Sequence, residues 1–83
     1  MRLRTGVSLA DTDYGTALLD EDSGEYWTLN PTGALVLRTL LDGGTQQQAV
    51  HAVATEYAVD QQTADRDVAE LIYDLRAAGL VES

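Results

Sequence analysis

The pattern of hydrophobic and polar positions changes period once along the chain, dividing it into a strand half and a helix half. Between Val7 and Leu29 the apolar residues come in short runs cut by polar turns, the rhythm of a meander. Val7-Ser8-Leu9-Ala10 alternates weakly and predicts a short first strand. Asp11-Thr12-Asp13 then supplies turn chemistry, because short polar side chains bond the local backbone. Tyr14–Leu19 predicts a second strand, and Asp20-Glu21-Asp22-Ser23-Gly24 a polar hairpin loop closed by glycine. Glu25–Leu29 predicts a third strand, favoured by Tyr26 and Trp27 because aromatic side chains pack well on a pleated, half-buried surface. In it Glu25, Trp27 and Leu29 share one face, and Tyr26 and Thr28 the other.

Asn30-Pro31 marks the switch to helical spacing. Asn30 has a side chain suited to capping a helix, and Pro31 sits at the first helical position, where its missing N–H costs nothing. The helix runs to about Leu41. Ala34, Leu37 and Leu41 stack along it with Val36 and Leu40 beside them, so most of its circumference is apolar and it is expected to be central. Asp42-Gly43-Gly44 stops it. Thr45-Gln46-Gln47-Gln48 has the form of a capping box and starts a second helix, with Ala49, Val50, Val53, Ala54 and Tyr57 as its buried stripe. Ala58-Val59-Asp60 breaks the pattern, and a third helix begins between Asp60 and Asp65. Val68, Leu71, Ile72 and Leu75 form its apolar stripe; Gly79 ends it, with Leu80 placed to fold back onto Leu75. Three strands followed by three helices predict an α+β fold, with the helices on one side of a small antiparallel sheet.

At 83 residues the chain is expected to form one domain around one modest core. A hydrophobic content of 45% is ordinary for a globular protein and argues against disorder. The absence of cysteine excludes disulfides and thiolate metal sites, and makes a reducing compartment the simpler expectation. No apolar run approaches membrane-spanning length and Met1–Gly6 lacks the apolar stretch of a signal peptide, so a cytoplasmic location is expected. Five Arg and no Lys against fourteen acidic residues give a net charge of −9. Such a surface repels phosphate backbones, and Arg2, Arg4, Arg38, Arg66 and Arg76 are scattered; both features weigh against nucleic-acid binding. Partners with a basic patch are favoured instead, mainly in encounter rate and specificity.

Candidate chemistry is sparse. His51, the sole histidine, sits between Val50 and Ala52 with no partner residue in view. Asp20-Glu21-Asp22 lacks the ligand spacing of a calcium loop, and Gly43-Gly44-Thr45 lacks the lysine of a phosphate loop. Asp65, Asp67, Glu70 and Asp74 read as a solvated helix face. No active site, metal or cofactor is expected. The aromatic pair leaves two readings open: both rings are core, or at least one lines a groove between the third strand and a helix. Successive strand residues point to opposite faces, so a single helical layer cannot bury both.

These residues resemble the PqqD-like family, the small domains known as RiPP recognition elements. The marks are Leu19-Asp20, Gly24-x-Tyr26-x-x-Leu29-Asn30-x-Thr32-Gly33-Ala34, Leu40-Leu41-Asp42-Gly43 and Thr45. Further on come Tyr57-x-Val59-Asp60 and Asp67-Val68-x-x-Leu71-x-x-Leu75-x-x-x-Gly79-Leu80. Together they span Leu19 to Val81, with one departure at Leu37, where relatives often carry an aromatic. The resemblance implies a winged helix-turn-helix-like fold and no catalysis. It implies binding of the leader of a ribosomally made precursor peptide, which joins the edge of the third strand and lies against the third helix. As a free-standing domain the chain looks most like the leader-binding protein of split lasso-peptide systems, where a separate cysteine-protease-like leader peptidase and an ATP-dependent macrocyclase do the chemistry. The alternative is a PqqD-type peptide chaperone serving a radical enzyme or another such pathway; a DNA-binding winged-helix regulator comes last. Mapped onto this sequence, the expected leader contacts are Glu25, Tyr26, Trp27, Thr28 and Leu29 on the strand, with Val68, Leu71 and Leu75 on the helix. Asp67 and Asp74 flank that stripe and are expected to face basic leader residues. Pure core roles remain the competing expectation for Val68 and Leu75.

Overall fold

The computed structural model describes residues 1–13 and 15–82. In chain order its strands are β1 (Arg2–Leu3), β2 (Val7–Thr12), β3 (Gly15–Asp20) and β4 (Tyr26–Leu29). The helices α1 (Pro31–Leu41), α2 (Gln46–Tyr57) and α3 (Gln61–Ala77) follow, and β5 (Val81–Glu82) closes the chain. β2, β3 and β4 form an antiparallel sheet in that order, and β1 pairs with β5 in a separate two-stranded one. The α+β expectation of three strands followed by three helices therefore holds, with the β1–β5 clip added. Two-residue strands have no period to read, and this pair joins opposite ends of the sequence. No described helix is long and apolar enough to cross a membrane.

The helix boundaries follow the expected caps. Asn30 Oδ1 accepts the Gly33 N–H at 2.8 Å, with Pro31 in the first turn. Thr45 and Gln48 form the reciprocal capping box, at 3.1 and 2.8 Å. At the end of α3 the Leu80 N–H reaches the Leu75 carbonyl at 3.0 Å and the Gly79 N–H that of Arg76, with Gly79 at φ +72°. That is the Schellman pattern, and Leu75 and Leu80 are buried in one cluster as expected.

The strands depart more from the sequence reading. Asp11 and Thr12 do not turn but extend β2, opposite Thr16 and Gly15. The Asp11 carboxylate is held across the ladder, accepting from the Thr16 hydroxyl at 3.2 Å and from Arg38 at 2.8 Å, instead of bonding its own backbone. Tyr14, the expected start of the second strand, lies outside the described residues. Gly15 opens β3 because a Cβ there would overlap the Leu29 carbonyl oxygen.

α1 is central: it packs against α2, α3, β1, β3 and β4. On one side Val36 and Leu40 join Ala49, Val50, Val53, Ala64, Val68 and Ile72 in a helix–helix cluster. On the other, Leu37 joins Leu18, Leu75, Leu80 and Val81 beneath the sheet. Leu37 is fully enclosed, at 1% exposure. Tyr57, expected in the buried stripe of α2, is 40% exposed. It is the last residue of α2, directly before the left-handed Ala58 that turns the chain toward α3.

Candidate functional site

Among the described residues the outer edge of β4 is unpaired. The Asp20 N–H donates to the Glu25 carbonyl at 2.9 Å, just outside the strand, which sets the phase of the β3–β4 ladder. In an antiparallel ladder, pairs that exchange hydrogen bonds alternate with pairs that do not. Leu18 with Trp27 and Thr16 with Leu29 are then the bonded pairs, and Tyr26 and Thr28 turn their N–H and C=O groups to the open edge. Their side chains point to the solvent face of the sheet, and those of Trp27 and Leu29 point toward the helices.

Beside this edge lies a groove of about 630 Å³ between β4, the first turn of α1 and α3. Of the residues expected at the site, Trp27, Thr28, Leu29, Asp67, Val68, Leu71, Asp74 and Leu75 line it; Glu25 and Tyr26 do not. Trp27 and Leu29 are half-buried and pack on the cluster beneath the sheet, while half-buried Leu71 touches both clusters. Val68 and Leu75, at 1% and 3% exposure, form the floor. They are core first and reach an occupant only from below. Tyr26 stands 69% exposed on the opposite face of the sheet, so the two aromatic residues divide: Trp27 lines the groove and Tyr26 faces solvent.

Asn30, Thr32, Gly33, Val36, Val53, Glu70, Ala78 and Leu80 also line the groove. Glu70 was legible, being three residues after Asp67 and four before Asp74 on the same helical face. The others come from α1, α2, the Asn30 cap and the segment after α3, and these meet only through tertiary packing. Asp67, Glu70 and Asp74 make the α3 wall acidic, and among the described residues none of the three carboxylates has a hydrogen-bond or ion-pair partner. Among the described residues the lining contains no histidine, cysteine or serine. His51 is exposed on α2, and no three metal-ligating side chains converge among the described residues.

Arg4, a residue with no place in the sequence-based site, ties the segment after α3 to the β3–β4 hairpin. Its Nε donates to the Gly79 carbonyl at 2.6 Å, just past α3. Its Nη2 donates to Asp20 Oδ2 at 2.8 Å, where the hairpin into β4 begins. Asp20 also accepts the Asp22 and Ser23 N–H groups at 3.0 and 3.4 Å. Desolvation pushes the Asp20 carboxyl up, but those two N–H groups and the Arg4 guanidinium outweigh it, so its pKa lies below the ordinary value.

The family model for coenzyme PQQ synthesis protein D (PqqD) matches residues 15–81. A solved structure described as lasso peptide synthetase B1 complexed with the leader peptide is 44% identical, with a TM-score of 0.91 over 99% of this chain and 96% of that one. A second, TbiB1 in complex with the TbiA(beta) leader peptide, is 27% identical, with a TM-score of 0.83 over 100% and 98%. No curated protein matches the chain. The family match covers the sheet from β3, all three helices and the groove between them, and on that ground this chain belongs to the PqqD family.

Proposed function

We propose that this protein is a non-catalytic adaptor, acting in the cytoplasm, that binds the leader of a ribosomally synthesised precursor peptide by strand addition to β4. The observation that carries the reading is the free β4 edge opening onto a groove with Trp27 at its side. An extended peptide laid along that edge bonds to the outward groups of Tyr26 and Thr28 whatever its sequence, and side-chain pockets supply selectivity. Alternate side chains of the added strand enter the groove beside Trp27, Leu29 and Leu71, above Val68 and Leu75. Asp67 and Asp74, with Glu70, face basic residues of the peptide. Being exposed, each such pair contributes about 0–1 kcal/mol. Tyr26 takes part through its outward backbone groups, and the exposed Glu25 through its side chain.

The likeness to two proteins whose structures hold leader peptides, one of them described as a lasso peptide synthetase B1, supports this reading and favours a lasso-peptide precursor. In that setting the bound leader is presented to a separate cysteine-protease-like peptidase and an ATP-dependent macrocyclase. The family's description, a coenzyme PQQ synthesis protein, supports a second reading as a peptide chaperone for a radical enzyme. Calorimetric titration with the leader of the short precursor encoded beside this gene tests the proposal. Saturable one-to-one binding is expected. Absence of binding, both alone and with the neighbouring peptidase present, would overturn it.

A further inference from the structure

α3 has a second side. Residues Asp67, Glu70, Leu71 and Asp74 face the groove beside β4. About half a turn round the helix, Ala69, Ile72, Tyr73, Arg76 and Ala77 line a separate shallow groove of about 520 Å³, closed at one end by Gln46 at the start of α2. Its floor is Ile72, 6% exposed, and the two alanines leave the surface low on either side. Tyr73 stands beside it 72% exposed, more so than Tyr26, and neither its ring nor its hydroxyl has a described partner. Among the described residues Arg76 has no ion pair and no carboxylate lines this groove. The α3 dipole accounts for a cation in the last turn, but not for the bare ring next to it.

We propose that this second groove docks a segment of a partner protein that presents an apolar side chain flanked by a carboxylate. The inference rests on the adaptor reading for its purpose: an adaptor holds its cargo and engages a second protein at once. The charges keep the two grooves apart. The wall of Asp67, Glu70 and Asp74 disfavours an acidic segment in the groove beside β4, and Arg76 disfavours a basic one here. Because both grooves are built on one helix, the two ligands bind back to back without competing.

The test is amide NMR of the full chain titrated with acetyl-Asp-Leu-Phe-Asp-amide, with acetyl-Lys-Leu-Phe-Lys-amide as the charge-reversed control. The acidic peptide is expected to move the Ala69, Tyr73, Arg76 and Ala77 resonances and to leave those of Tyr26–Leu29 in place. Tyr73→Ala and Arg76→Glu each weaken its binding at least about threefold, with circular dichroism unchanged. The proposal is overturned if the acidic peptide moves none of these resonances at millimolar concentration. It is equally overturned if the lysine peptide binds there as well, or if Arg76→Glu binds the acidic peptide unchanged. A leader titration on the same samples separates the two readings. Tyr73→Ala is expected to keep leader affinity, whereas wild-type protein that binds the acidic peptide but no leader would sink the adaptor reading and leave this docking surface standing.

Discussion

Trp27 and Tyr26 are neighbours in sequence with opposite surroundings, because a pleated strand sends successive side chains to opposite faces and only one face of this sheet is covered. If Trp27 anchors the leader, Trp27→Ala weakens leader binding by more than ~1 kcal/mol, about fivefold or more, with the circular dichroism spectrum intact. Tyr26→Ala, which leaves the groove lining untouched, has a smaller effect in the same titration. The sequence shows that the two rings must part but not which way, since nothing in the strand itself says where the helical layer lies. Arg4 was illegible for a similar reason: its partners Asp20 and Gly79 stand sixteen and seventy-five positions away. The Asp20 carboxyl it helps to hold below its ordinary pKa binds a proton more weakly in the folded state than in the unfolded one. Asp60 behaves likewise, chiefly because it accepts the Thr63 N–H at 2.7 Å. The stability contributed by both is therefore complete above about pH 4 and is lost as pH falls through their lowered pKa values. Denaturant melts at neutral pH and near pH 3 should show that loss, and Asp20→Asn should lose less between the two.

At the scale of elements, the helices were legible almost to the residue and the strands less so. Helix ends carry local chemistry, as Asn30-Pro31, the Thr45–Gln48 box and Gly79 show, so their signals lie within a few positions of the boundary. Strand ends depend on partners far along the chain. Asp11 reads as a turn residue until Thr16 and Arg38 claim its carboxylate, and β1 exists only because β5 returns to it. Ala58 is the one helix end where local chemistry is poor: it adopts φ +52°, a left-handed conformation that its Cβ disfavours. Ala58→Gly is therefore expected to stabilise the protein by roughly 0.5–1 kcal/mol in denaturant melts, with leader affinity unchanged. A loss of stability would mean that the entropy glycine adds to the unfolded chain outweighs the relief of strain.

Over the whole molecule, the proposed function rests on an asymmetry between two sheet edges. Among the described residues β2 and β4 are both unpaired on their outer sides. At β2, Asp11 carries a charge on the helix-facing side, tied to Arg38, a feature that discourages another strand from pairing there. At β4 the corresponding side chains are Trp27 and Leu29, and a groove waits alongside. The ladder phase names the amides involved. The Glu21 N–H bonds the Gly6 carbonyl at 2.8 Å, so β2 turns its Leu9 and Asp11 amides outward, as β4 does those of Tyr26 and Thr28. Residue-resolved hydrogen exchange, with and without the leader, reads these four amides directly. Strand addition at β4 predicts strong leader-dependent protection of Tyr26 and Thr28, with Leu9 and Asp11 exchanging as fast as before. Protection of Leu9 and Asp11 instead, or a bound leader that slows none of the four, would contradict it.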